Sequence, residues 1–199
     1  MRRIGAVVLA AGASSRLGEP KQLLRDQSGE SLVHRIARDA IAAGASPVVV
    51  VVGAVVDDIK SVLSDLDVLI ARNNDWATGL SSSIRVGVAS AAAHDVDAVM
   101  LLTCDMPSVG VSHLESIIAA LSSGATRVAS SYGDTRGVPA IVCRSEFSVL
   151  LQLSGDRGAK PLLMQTGTVL VPLAGGAFDL DTPADVEAWR ARAKYCERP

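Results

Sequence analysis

Val7-Val8-Leu9-Ala10-Ala11-Gly12-Ala13-Ser14-Ser15-Arg16-Leu17-Gly18-Glu19-Pro20-Lys21 starts as an uncharged apolar run and turns at Gly12 into a loop of small residues, hydroxyls and positive charge. The run Val7-Val8-Leu9-Ala10 has no polar alternation, which suits a strand covered on both faces in a parallel sheet. Glycine and small side chains let the backbone of the loop come close to a ligand and offer its N–H groups. Ser14 and Ser15 add hydroxyls, and Arg16 and Lys21 add positive charge suited to a polyphosphate. The loop is not a Walker A loop, because Gly-Lys-Ser/Thr is absent, and it is not a GxGxxG fingerprint. From spacing alone two readings fit, a phosphate-binding loop and a strand-to-helix connection carrying surface charges.

Upstream of the strand, Arg2-Arg3 followed by residues 4–13 has the outline of a secretory signal. The apolar run is short, however, and leads straight into the polar loop, so it reads as a strand. Downstream, strand and helix alternate. Residues 31–43 have helical periodicity, with Leu32, Ile36 and Ala40 on one side and Gly44 as the C-cap. Residues 47–52 contain five consecutive valines, poor helix material, and read as a strand. Helices are expected at 55–63, 80–93, 111–121, 146–153, 158–164 and 183–194, the last with Pro183 near its start. Strands are expected at 68–71, 98–103, 127–131, 138–143 and 169–173. The repeated units predict one three-layer α/β/α Rossmann-like domain over residues 1–199, with a mostly parallel sheet and ligands beyond the carboxyl ends of its strands.

Composition agrees. The 199 residues are 49% hydrophobic but only 3% aromatic, so the core must be Val, Leu, Ile and Ala. A net charge of -2 gives no support for a nucleic-acid partner. No stretch is long and apolar enough to span a membrane. Cys104, Cys143 and Cys196 are widely spaced and form no zinc pattern; a sparse, odd count fits free thiols in a reducing compartment, and the chain is expected to be cytoplasmic.

Four further segments carry chemistry. Gly79-Leu80-Ser81-Ser82-Ser83 opens a helix with free N–H groups and hydroxyls, which fits either a nucleotide contact or simple capping. Asp105 follows an apolar strand, where an isolated carboxylate facing the crevice would be costly without a cation; magnesium is the natural partner. Asp181, in Asp179-Leu180-Asp181-Thr182-Pro183, is either a second metal ligand or the cap of the helix that begins at Pro183. Gly137-Val138-Pro139 and Ser154-Gly155-Asp156-Arg157-Gly158-Ala159-Lys160 fit an anion site at a helix start, and equally a capped helix with surface bases.

Taken whole, the string from Leu9 to Lys21 resembles the loop of the nucleotidyltransferases of molybdenum cofactor maturation, Leu-Ala-(Ala/Gly)-Gly-x-Ser-x-Arg-Met-Gly-x-x-Lys, with Leu17 in place of Met. The likeness extends to Trp76-Ala77-Thr78-Gly79-Leu80-Ser81-Ser82-Ser83-Ile84-Arg85 and to the acidic, Gly-x-Pro and Ser-Gly-Asp segments, with Cys104 where the family has Gly and Val138 where it has His or Asn. The resemblance implies a fold of the nucleotide-diphospho-sugar transferase type. It implies a nucleotide site at Leu9, Ala10, Ala11, Gly12, Ser14, Ser15, Lys21, Ser81, Ser82 and Asp105, with Mg2+ held by Asp105 and Asp181. Lys21, Arg16 and Asp105 would be the catalytic residues. Ala11 is typical of the cytidylyl-transferring branch, so CTP is the favoured donor and GTP the alternative. The implied acceptor is molybdopterin or the molybdenum cofactor, and a molybdoenzyme or its chaperone would be the protein partner. Three alternatives stay open: a guanylyl-transferring or sugar-phosphate-activating enzyme of the same architecture, a nucleotide-binding subunit without catalysis, and an oxidoreductase, which the missing GxGxxG disfavours.

Overall fold

A computed structural model describes residues 2–14, 17–121 and 124–196. Its centre is a seven-stranded sheet built from β1 (Ile4–Ala10), β2 (Val48–Val52), β3 (Leu69–Arg72), β4 (Ala98–Thr103), β5 (Arg127–Tyr132), β6 (Thr135–Cys143) and β7 (Val169–Pro172). The strand order is β3-β2-β1-β4-β6-β5-β7. β1 pairs in parallel with β2 on one side and β4 on the other, β2 pairs in parallel with β3, and β5 in parallel with β7. β6 runs antiparallel to both its neighbours. The stretch with the outline of a secretory signal is thus β1, buried along its whole length at the middle of the sheet.

Helices α1 (Leu32–Ala42), α2 (Val56–Val62), α3 (Leu80–Ala92), α4 (Val111–Ala120), α5 (Phe147–Leu151), α6 (Lys160–Leu163) and α7 (Pro183–Cys196) cover the sheet. Successive strand residues face opposite sides. Ala6, Val8 and Ala10 join a core with Leu32, Ile36, Ile59, Leu114 and Ile117 from α1, α2 and α4. Val7 and Leu9 join a second core with Ile84, Val88, Phe147, Leu150 and Leu162 from α3, α5 and α6. Those two cores make the three layers. On α3, a side chain at Gly87 would collide with Val7 and Val51, so glycine is what lets this helix lie close against the sheet. No helix among the described residues is long and apolar enough to cross a membrane.

The expected elements are present, with three differences. β6 begins at Thr135 rather than 138, because Gly133-Asp134, with Gly133 at φ 54, closes a tight hairpin between Tyr132 and Thr135. The helix expected at 146–153 is the shorter α5. The one expected at 158–164 shrinks to α6, because Gly158 sits at φ 56, outside helical space. The Gly44 cap is as expected: at φ 87 it lets the Ala45 N–H reach back to the Ala40 carbonyl.

What matters for a site is where the connections leave the sheet. From β1 the chain crosses to β2 on one side, and β4 lies on the other. A crevice therefore opens beyond the carboxyl ends of β1 and β4, at the point where the strand order reverses.

Candidate active site

The loop after β1 turns back on itself around one side chain. Gln22, only 2% exposed, donates through Nε2 to the carbonyls of Ala10 (3.0 Å) and Gly12 (2.6 Å). Its Oε1 is 3.4 Å from the Ser14 hydroxyl, which also accepts the Lys21 N–H at 2.9 Å. Ser14 has φ 53, a left-handed conformation that serine rarely adopts. Ser15 and Arg16 lie outside the described residues.

Lys21 leaves this loop at the start of a 3-10 turn, Lys21–Leu23, and its ammonium reaches two carboxylates. Nζ is 2.5 Å from Asp105 Oδ2 and 3.1 Å from Asp181 Oδ1. Burial works against the charge on Lys21, but Asp105 and then Asp181 outweigh it and raise its pKa above the ordinary lysine value. The three residues are far apart in the chain; the parallel pairing of β1 with β4 brings Lys21 and Asp105 to one end of the sheet, and the segment before α7 brings Asp181.

Each carboxylate has its own support. Asp105 follows β4, and the next residues are clamped from behind by Arg35 of α1, which donates to the carbonyls of Met106 (3.3 Å), Pro107 (3.1 Å) and Val109 (3.1 Å). The Leu180 N–H donates to the Asp105 carbonyl at 2.9 Å, which ties the second acidic segment to the first. At the start of α7 the capping is done by Thr182 and Asp185: Asp185 Oδ2 accepts the Thr182 N–H at 2.8 Å and the Thr182 hydroxyl at 2.7 Å. The Asp181 carboxylate faces Lys21. Burial, then the carboxylates of Asp105 and Asp181, push the Asp179 carboxyl up to about 6. Among the described residues no three His, Cys, Asp or Glu side chains gather in a metal-ligating arrangement. A cation here would have two carboxylates from the protein.

Beside this cluster lies a cleft of about 450 Å³. Leu9, Leu80, Ile84 and Val138 are among its apolar walls; Arg136, Arg157, Lys160 and Asp179 supply its charges. Tyr132 lines it too, its ring against Gly176 and its hydroxyl against Gly137. The segment 154–158 packs directly on the start of α3. Ser81 N–H donates to the Gly155 carbonyl at 3.1 Å, and a side chain at Gly79 would strike Asp156 and Gly155.

The remaining site residues read from the sequence fall in different places. Leu9 faces the cleft, whereas Ala10 points into the α1 core. Ala11 is buried, its carbonyl accepting the Ala54 N–H at 3.2 Å, and Trp76 packs on Gly53 just beyond. Gly12 has open space around its Cα. Ser81 and Ser82 are buried, at 0% and 3% exposure. Ser82 Oγ donates within the loop, with the Gly79 and Asp75 carbonyls at 2.8 and 3.1 Å, and accepts from Asn73 at 2.8 Å; it shapes the helix start. Ser81 Oγ has no hydrogen-bond partner among the described residues. Cys104 is buried, and burial pushes its thiol pKa up, so the substitution for Gly adds no reactive group. Gln22, Arg35, Tyr132 and Asp179 were not singled out by the sequence. Gln22 left one signal, a polar residue inside Lys21-Gln22-Leu23-Leu24, next to the charged end of the loop.

Residues 6–169 match the sequence profile of the MobA-like NTP transferase domain. The chain belongs to that family. Nicotine blue oxidoreductase from Paenarthrobacter nicotinovorans is 28% identical over 171 residues, 81% of this chain and 82% of that protein. The crystal structure of the Mycobacterium tuberculosis Rv0371c homolog from Mycobacterium sp. strain JC1 is 28% identical, with a TM-score of 0.81 over 99% of this chain and 100% of the other. The manganese complex of Rv0371C from Mycobacterium tuberculosis is 25% identical, with a TM-score of 0.74 over 95% and 98% of the two chains. The matched segment runs from β1 to the start of β7, so it takes in Lys21, Asp105 and the cleft residues up to Lys160, while Asp179 and Asp181 lie beyond it. As a MobA-like NTP transferase, the chain is a nucleotidyltransferase.

Proposed function

We propose that this nucleotidyltransferase moves CMP from CTP to the terminal phosphate of a molybdopterin-type acceptor, releasing pyrophosphate. The observation that carries the reading is the convergence of Lys21, Asp105 and Asp181 at the carboxyl ends of β1 and β4. Two carboxylates already share one cation there, the Lys21 ammonium. They are hard oxygen donors, which suits Mg2+, and the relative Rv0371C has been crystallised with manganese. Asp105 and Asp181 would hold the ion, with phosphate oxygens and water completing its shell. When bound, it would neutralise phosphate charge and orient the donor.

In this reading the loop's N–H groups face the triphosphate, and Lys21 moves from the carboxylates to the phosphates. Arg16 adds a second positive charge. Both stabilise the negative charge that builds on pyrophosphate as its bond to the α-phosphorus breaks. The new bond comes from an oxygen of the acceptor phosphate, which is already ionised, so neither a protein nucleophile nor a general base is needed. Arg136, Arg157 and Lys160 are placed to hold an anionic acceptor against the apolar walls of the cleft. Ala11 narrows the base side by one methyl relative to Gly, which disfavours the larger purine by about 1–3 kcal/mol.

The test is pyrophosphate release from each of the four triphosphates with molybdopterin. CTP is expected to give the highest kcat/KM. A higher value for GTP would overturn the cytidylyl assignment, and tight triphosphate binding without pyrophosphate release would make the chain a binding subunit. Since one relative is named an oxidoreductase, NAD(P)H oxidation is measured alongside; the missing GxGxxG after β1 predicts none.

A further inference from the structure

We propose that Gln22 is a positioning residue for triphosphate binding and transfer, acting through the loop N–H groups and Lys21; the inference rests on the nucleotidyltransferase reading of the site. Gln22 is buried, and both ends of its amide are engaged inside the loop. Its NH2 group holds the carbonyls of Ala10 and Gly12 turned inward. A trans peptide is planar, with C=O and N–H pointing to opposite sides. Turning those two carbonyls toward Gln22 therefore turns the N–H groups of Ala11 and Ala13 away from it. Its carbonyl faces the Ser14 hydroxyl, and that hydroxyl accepts the Lys21 N–H. One buried amide thus fixes the peptide orientation at the start of the loop and the departure of Lys21 at its end. No other side chain is recorded bonding to either carbonyl among the described residues. Leucine at 22 would keep most of the volume and lose every one of these bonds. Glutamate would keep the shape and put a carboxylate against two carbonyls, and an ionised carboxylate has no proton to donate to them.

The experiment compares wild type, Gln22→Leu and Gln22→Glu, each alone and combined with Lys21→Ala, well below their unfolding temperatures. The expected result is a triphosphate dissociation constant raised at least tenfold and a slower single-turnover step in both single variants. The slowing should largely disappear in the Lys21→Ala background, because the lysine that Gln22 aims is gone. A role confined to stability would lower the melting temperature and leave binding and the chemical step unchanged, and that outcome, or full additivity with Lys21→Ala, overturns the proposal. Wild-type NMR provides a readout that needs neither folded variants nor turnover. The Gln22 side-chain NH2 and the Lys21 amide should be protected from solvent exchange, and free exchange of either overturns the arrangement. A wild-type chain with no triphosphate-dependent pyrophosphate release would refute the reading of the site itself, and the exchange data would still report on the loop.

Discussion

The half of the sheet formed by β3, β2, β1 and β4 and the half formed by β6, β5 and β7 meet the same crevice but are built differently. In the first, all strands run one way, the strands β1 and β2 are buried throughout, and Lys21 and Asp105 reach the crevice from the chain after β1 and β4, where Asp181 joins them from the segment after β7. In the second, β6 is reversed, β7 is an edge strand with Leu170 exposed, and the cleft collects residues from β5, β6, the 154–160 segment and the 177–179 segment. A compact cation site needs tightly fixed donors, and Asp105, just past buried β4, is fixed by the Arg35 clamp behind it and by the Leu180 N–H that ties the Asp181 segment to it. A cleft for a larger molecule is assembled from parts that vary independently. On this view the first half sets the chemistry and the second half sets what is modified.

The sharpest way to break that division is to remove a carboxylate. Asp105→Ala should lower transfer by roughly two orders of magnitude or more while the fold persists, and Asp181→Ala should do nearly the same. Rates at limiting Mg2+, with circular dichroism as the folding control, measure this. Full activity in either folded variant would take that residue out of the metal site. Lys21→Ala should slow the single-turnover step by about tenfold to a hundredfold, the scale of a charge-assisted hydrogen bond at about 1.5–3 kcal/mol, and should weaken triphosphate binding less. Lys21→Arg should rescue only in part, because a planar guanidinium does not reproduce a compact ammonium. Removing Lys21 also takes away the ammonium that Asp105 and Asp181 share, so Mn2+ titrated without nucleotide should bind Lys21→Ala more tightly than wild type. Weaker Mn2+ binding would mean that the ammonium and the metal do not compete.

The second half should respond more gently and more selectively. Arg157 and Lys160 are exposed at the rim of the cleft. Replacing either by alanine should raise KM for the acceptor by about fivefold, equivalent to about 1 kcal/mol for an exposed charge, with KM for the triphosphate unchanged. Equal effects on both constants would erase the division of labour between the halves.

The same contrast explains how much could be read from sequence. The first half announces itself because a buried parallel strand is a contiguous apolar run and its phosphate-facing exit is a contiguous string, Gly12 to Lys21. Asp105 was legible because a carboxylate directly after an apolar strand has few structural uses, whereas Asp181, equally readable as a helix cap, stood out by the resemblance of its Asp-Leu-Asp-Thr-Pro segment. What escaped was pairing across distance. Nothing local in Gln22 says that its amide will meet the carbonyls of Ala10 and Gly12. Arg35 on α1 gives no sign that it clamps the 106–109 segment. A hydroxyl at a helix start serves a ligand and a cap equally well, so the sequence leaves both open at Ser81 and Ser82 and gives no sign that both side chains are buried. The hairpin that reverses β6 was written plainly in Gly133-Asp134, but the expected strand began too late to use it.

The smallest effect lies outside both sites, on the α1 face behind β1. His34 Nδ1 is 2.6 Å from Glu30 and Nε2 is 3.1 Å from Asp65. Burial alone would lower its pKa, but the two carboxylates outweigh burial and raise it above the ordinary histidine value. The protonated ring is therefore held more tightly in the folded chain than in the unfolded one. Such a group stabilises fully below the unfolded pKa, about 6.5, and that contribution is lost as pH rises through the higher folded value. His34→Gln should therefore lower the melting temperature more at pH 5.5 than at pH 8.5, since at pH 5.5 ordinary carboxylates, with pKa values of about 4, are still ionised. At neither pH should it change kcat for transfer, because His34 touches neither the Lys21 cluster nor the cleft. The measurement is a pair of thermal melts for wild type and variant. An equal drop at both pH values would mean that the ring acts through packing alone, and a drop that grows with pH would reverse the sign of its coupling to Glu30 and Asp65.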